Sequence, residues 1–160
     1  MTYDIIESPI GRLTICVNEA GITGLHIEGD RYFSEVPKGW HRERYNSFIR
    51  AARTQLAEYF AGRRTKFDLP LAPEGTKFQQ AVWKALSDIP KGKTTTYADV
   101  ADKIGKPKAA RAVGTAVGRN PICIILPCHR VMSSDGSLGG YVAGVHRKQK
   151  LLELEGVVIT

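Results

Sequence analysis

Cysteine is scarce in this sequence: three residues in 160, Cys16, Cys123 and Cys128. An odd number at unpatterned spacings is a poor disulfide framework. It suits a reducing compartment and leaves at least one thiol free. Long apolar runs are missing too. No stretch reaches the roughly 18 residues needed to span a bilayer as a helix. The opening Met1-Thr2-Tyr3-Asp4 lacks the basic and apolar regions of a signal peptide. These absences place the protein in the cytoplasm, away from membranes. Internal repeats and low-complexity segments are also absent, and a hydrophobic fraction of 42% excludes a disordered chain.

Acidic charge is what the second half is short of. Residues 1–75 hold ten Lys/Arg and ten Asp/Glu, whereas residues 76–160 hold thirteen and six, so the whole net charge of +7 lies in the second half. A neutral half joined to a basic half fits either a polyanion contacted by one face or simple solubilising charge.

The pattern of elements divides at the same place. Residues 4–7, 13–17 and 22–27 are short β-rich runs separated by turns, the spacing of a meander. Residues 29–46 are polar and without period. Ser47 to Gly62 reads as a helix, with Phe48, Ala52, Leu56, Tyr59 and Phe60 on its apolar side. Pro70, Pro73 and Gly75 mark a linker. Helices follow at Thr76 to Ile89, with Trp83 on a flank, at Tyr97 to Ile104, and from Pro107 to about Val117. Ile122 to Leu126 reads as a buried strand. A glycine-rich loop, residues 136–144, precedes a last helix from about Val145 to Glu155. The expected fold is α+β. A small N-terminal α/β subdomain, a short antiparallel sheet plus a helix within residues 1–75, precedes a mostly helical C-terminal subdomain, residues 76–160, with a helix-turn-helix.

Two segments carry the chemistry. The helix pair joined by Gly105-Lys106-Pro107-Lys108 resembles a helix-turn-helix, but its second member is rich in Ala and Gly and has few long polar side chains beyond Lys108 and Arg111. Such a helix reads no base edges in a major groove; it brings backbone close to DNA and binds by shape and phosphate contacts. Close packing on another helix explains the same composition. The second segment is Pro127-Cys128-His129-Arg130. A cysteine after an apolar run is ordinarily inert. Here His129 and Arg130 are placed to favour the thiolate, and Glu155 to orient His129. Cys123, Cys128 and His129 do not have the spacing of a zinc site. A cysteine hydrolase lacks a second supporting His or Asn feature.

From Thr76 to Gly156 the sequence closely resembles the O6-alkylguanine-DNA alkyltransferases, also called methylated-DNA–protein-cysteine methyltransferases. The likeness runs through Phe78-Gln79-Gln80-Ala81-Val82-Trp83, Ala109-Ala110-Arg111-Ala112-Val113-Gly114, Asn120-Pro121, Pro127-Cys128-His129-Arg130-Val131, Gly139-Gly140-Tyr141 and Leu151-Leu152-Glu153-Leu154-Glu155-Gly156. Ser8-Pro9-Ile10-Gly11-Arg12-Leu13 looks like the opening of the family's first domain. The resemblance implies a single-use repair protein without cofactor or metal. It would act as a monomer on double-stranded DNA carrying O6-alkylguanine, from the minor groove, with little sequence preference. Cys128 would accept the alkyl group, His129 would take the thiol proton through a water, and Glu155 would orient His129. Tyr97 would help rotate the target nucleotide out of the stack and assist the leaving group. Arg111 would fill the gap, with Ala109, Ala110, Gly114 and Thr115 against the DNA. Asn120 would be a hinge, and Tyr141, Val142 and Val131 would line the pocket. Two departures stand out: Val142-Ala143 where the family favours a small residue and glycine, and Cys123 where Pro or Ser is common. A damage-binding relative without chemistry and a DNA-binding regulator are the rival readings; the presence of Cys128 and the alanine-rich helix argue against them.

Overall fold

A computed structural model describes residues 1–159. Alternating apolar residues build an N-terminal sheet from β1 (Thr2–Ile6), β2 (Leu13–Val17), β3 (Ile22–Ile27) and β4 (His41–Arg42), in the order β3-β2-β1-β4. The first three strands form the expected antiparallel meander, while β4 pairs parallel to β1. The polar stretch 29–46 therefore contains a strand of two residues. It is held because the buried Asp4 carboxylate accepts from Arg42 Nε at 2.9 Å and also from Arg53 of the next helix.

That helix, α1 (Ser47–Phe60), starts where the Asn46 side chain accepts the amides of Phe48 and Ile49. Its buried stripe is Ile49, Ala52, Leu56 and Tyr59, set against the sheet. Phe48 and Phe60, expected on that stripe, are only partly buried at its edges.

The outer edge of β3 is not left open. Ile22 bridges to Leu71, and Leu25 to Ile122, so both the linker and the segment before Cys128 are stitched to one strand. The approach at the linker needs Gly21: a Cβ there would lie 2.4 Å from the Pro70 carbonyl oxygen.

The second half is helical: α2 (Lys77–Leu86), α3 (Tyr97–Lys103), α4 (Ala110–Gly118) and α5 (Val145–Leu154). A reciprocal capping box between Thr76 and Gln79 starts α2, and Thr96 caps α3. α2, α3 and α4 pack on one another. Trp83, expected on a flank, is only 2% exposed, and its indole nitrogen donates to the Ala116 carbonyl at 2.9 Å. α4 begins at Ala110 rather than at Pro107. Residues 107–108 form a turn closed by Ala109 N–H on the Lys106 carbonyl. A pair too short to read from sequence, β5 (Thr95–Thr96) and β6 (Val131–Met132), runs parallel and ties the start of α3 to the segment after Cys128. No helix among the described residues is long and apolar enough to cross a membrane.

Candidate active site

Ile122 to Leu126, read as a strand, is instead a buried series of turns, bridged to the sheet only at Ile122. Ile124 takes a left-handed φ of 73°, a costly conformation for a β-branched residue. Asn120, 3% exposed, holds the turns in place: its Oδ1 accepts the Ile122 amide at 3.0 Å and its Nδ2 donates to the Leu126 carbonyl at 2.7 Å. This clamp delivers the chain to a 3-10 turn, Cys128–Arg130, in which all three side chains are buried.

Behind Cys128 the turn meets the end of α5. The Glu155 carboxylate accepts four hydrogen bonds from three residues. Tyr59 Oη lies at 2.5 Å, His129 Nε2 at 2.8 Å, and Arg130 donates through Nε and Nη2, both at 2.8 Å. Burial alone would raise the Glu155 pKa, but the bonds from His129, Arg130 and Tyr59 outweigh it and hold the carboxyl well below its usual range. A carboxylate cannot donate, so His129 presents its proton on Nε2. Burial also keeps the His129 pKa below its ordinary value, so the ring is neutral and Nδ1 is a bare acceptor. Nδ1 has no protein partner. Arg130 also donates from Nη1 to the Ile89 carbonyl at 2.6 Å, and it is not among the main influences that lower the Cys128 pKa, contrary to the expectation from adjacency.

The thiol draws on other neighbours. Cys128, 3% exposed, has its pKa lowered chiefly by Cys123, with Asn120, the Lys148 charge and Tyr141 acting in the same direction against burial. Cys123 moves the opposite way, pushed well up by Cys128 and by burial, so of the two buried thiols Cys128 ionises first. Cys16, in β2, is pushed to about 12 by burial and is a packing residue. Lys148 is wholly buried; its ammonium donates to the carbonyls of Val131 at 2.6 Å, Gly140 at 3.2 Å and Leu138. Burial lowers its pKa to about 8. Nothing in the sequence pattern pointed to Lys148 or gave Tyr59 a part beyond its apolar stripe; the partner of Tyr59 lies 96 residues away along the chain.

Cys128 opens onto a cavity of about 250 Å³. Tyr97, Gly114, Val117 and Gly118 line it from the helix pair; Gly140, Tyr141 and Val142 line it from the glycine-rich loop. Arg31, from the stretch that sequence left without a role, completes the lining. Val131 is a correction: its side chain is fully buried and absent from the lining, because β6 pairs with β5 and turns it into the core. Tyr97 packs its ring near Gly114, and Gly139, at φ 73°, brings the loop so close that a Cβ would lie 3.2 Å from the Tyr97 hydroxyl. Burial and the neighbouring Cys128 charge raise the Tyr97 pKa, so its hydroxyl stays protonated. On α4 and its N-cap Ala109, Arg111 and Thr115 are exposed, Ala109, Ala110 and Gly114 are half-buried, and Val113, Ala116 and Val117 face inward. No group of three or more His, Cys, Asp or Glu among the described residues is placed to hold a metal ion.

Residues 77–157 match the family model described as 6-O-methylguanine DNA methyltransferase, DNA binding domain; residues 1–73 match that family's ribonuclease-like domain. The chain belongs to the 6-O-methylguanine DNA methyltransferase family. A methylated-DNA–protein-cysteine methyltransferase of Methanosarcina barkeri is 52% identical over 97% of both chains. One from Haemophilus influenzae is 43% identical over 97% of this chain and 86% of its own. Among solved methyltransferases of the family, Mycobacterium tuberculosis OGT in complex with DNA superimposes with a TM-score of 0.88 at 46% identity, over 97% of this chain and 92% of that one. The O6-methylguanine DNA methyltransferase of Methanococcus jannaschii gives 0.66 at 28% identity, over 98% and 95%.

Proposed function

We propose that this chain repairs DNA by moving the alkyl group of O6-alkylguanine, and to a lesser degree of O4-alkylthymine, irreversibly onto Cys128. The observation that carries the reading is a buried thiol of lowered pKa at a cavity bordered by the helix-turn-helix, followed in sequence by a histidine whose Nδ1 is bare. Family membership and the DNA-bound relative support it.

The duplex is met from the minor groove by α4, whose small residues let the backbone approach phosphates with little sequence preference. Arg111, exposed on α4, fills the space left by the flipped nucleotide. The flip is required because O6 cannot reach a buried sulfur from within the stack. His129 Nδ1 draws the Cys128 proton through a water, and Glu155 holds the ring. The sulfur then bonds the alkyl carbon, the carbon–O6 bond breaks, and the electron pair leaves with guanine. The protonated Tyr97 hydroxyl meets that developing charge. The thioether has no route back to a thiol, so each molecule reacts once, as a monomer and without cofactor, in the cytoplasm. Residues 1–75 and 76–160 act as two subdomains, and Asn120 is the clamp between recognition helix and nucleophile.

The test is intact-protein mass after incubation with duplex DNA carrying one O6-methylguanine. One methyl gained on Cys128, with guanine restored and no gain in Cys128→Ser, is the expected result. Methyl transfer surviving in Cys128→Ser would overturn the assignment.

A further inference from the structure

The cavity beside Cys128 has a single charged residue in its lining, Arg31, and that residue comes from the N-terminal half. Its main-chain amide donates to the Val142 carbonyl at 2.9 Å, which fastens it to the loop on the cavity's far wall. The flanking residues are fixed as well. The buried Asp30 carboxylate accepts the Tyr32 amide at 2.8 Å and meets His26 Nδ1 at 3.2 Å, and the Arg119 guanidinium lies 4.1 Å from the centre of the Tyr32 ring. The Arg31 backbone is therefore held while its exposed guanidinium has no hydrogen-bond or ion-pair partner among the described residues.

Sulfur attacks the alkyl carbon, so the alkyl group must face Cys128 in the cavity that Tyr141 also lines. Arg31 is hydrogen-bonded through its main-chain amide to the next residue and lines the same cavity as Cys128. Gly114, Val117, Gly118, Gly140 and Val142 offer no charge there. An unpaired, fork-shaped cation suits a carboxylate.

We propose that Arg31 makes this protein selective for alkyl groups that end in a carboxylate, the smallest being O6-carboxymethylguanine. The inference rests on the alkyl-transfer reading above. The displacement is unchanged: Cys128 sulfur bonds the methylene carbon, the methylene–O6 bond breaks, guanine leaves and is protonated, and the carboxylate stays on the transferred group.

The experiment compares single-turnover rates on three duplexes that differ only in the lesion: O6-carboxymethylguanine, its neutral isostere O6-carbamoylmethylguanine, and O6-methylguanine. The wild type, Arg31→Met and Arg31→Glu are run on each. The carboxymethyl-to-carbamoylmethyl rate ratio should fall roughly tenfold in Arg31→Met, the scale of one exposed charge-assisted bond, and further in Arg31→Glu. Differences in intrinsic reactivity cancel in that ratio. An unchanged ratio across the three proteins overturns the inference. So does a parallel fall on all three lesions, which would mean that Arg31 meets the DNA backbone. A wild type that alkylates itself on none of the duplexes would sink the alkyl-transfer reading itself, a result distinct from an unchanged ratio.

Discussion

On one side of Cys128 four hydrogen bonds converge on the Glu155 carboxylate, whereas across the cavity the 133–144 loop is gathered by one ammonium, that of Lys148. The first arrangement is buried, contains no glycine and has two opposite charges, Glu155 and Arg130, in direct contact. The second is a partly exposed chain with Gly136, Gly139 and Gly144 at positive φ, and the buried side chain that gathers two of its carbonyls and that of the neighbouring Val131 comes from α5. The contrast teaches which part of the reaction each region governs. In the mechanism proposed above, proton transfer demands fixed angles, and the carboxylate would supply them. Admission of a base with its alkyl group demands a wall that can adjust, and the loop supplies that.

Breaking the rigid side should cost most. Glu155→Gln leaves the Arg130 guanidinium buried without a counter-charge, and chemical denaturation should report a loss of about 3–5 kcal/mol. The same group sets an acid limit. Because its folded pKa is depressed, the stability it contributes is complete above its ordinary value of 4.5 and is lost as pH falls below it. The variant's acid unfolding should be correspondingly shallower. A variant as stable as the wild type at neutral pH would erase the distinction between the two regions.

On the adjustable side, Lys148→Met removes a buried charge along with its three hydrogen bonds, and the two effects oppose each other. Stability should change by no more than about 2 kcal/mol. Transfer should slow several-fold, and amide exchange should quicken through residues 133–140. The wild-type ammonium itself is a burden on folding: with its pKa lowered to about 8 from 10.5, stability should rise with pH between those values, and Lys148→Met should lack that rise.

Cys123→Ala sharpens the comparison at the nucleophile. It removes the largest influence lowering the Cys128 pKa, so the pH profile of single-turnover transfer should shift upward while the plateau rate changes little. A profile that stays in place would mean that Asn120, Lys148 and Tyr141 suffice. The smallest effect belongs to Arg119→Ala, which frees the Tyr32 ring. It should cost about 0.5–1 kcal/mol of stability at this exposed stacking contact.

The sequence made some of this legible and hid the rest for physical reasons. The stripe of α1 and the helix pair around Gly105 could be read because 3.6-residue spacing survives in a one-dimensional string. Cys128, His129 and Glu155 could be singled out because short motifs preserve local order. Ile122 to Leu126 misled because an unbroken apolar run has no period, and here the side chain of Asn120, rather than a sheet, takes up part of the backbone bonding. Tyr59 escaped because its hydroxyl meets a partner 96 residues away, and it lay in plain view as an ordinary member of an apolar stripe. Lys148 drew no notice as one lysine of a polar helix, yet it is wholly buried. Val131, which the resemblance put in the pocket wall, is turned away by a two-residue strand pair.

The bond from Tyr59 to Glu155 bears on how interchangeable the two halves of such a protein are. The phenol belongs to the first helix of the N-terminal half and the carboxylate to the last helix of the chain. Chimaeras that join this N-terminal half to another relative's C-terminal half will inherit the proposed proton relay only when the donor at the end of that first helix and the carboxylate at the end of the last one are matched. A mismatch would be felt at the histidine, far from the seam where the pieces were joined.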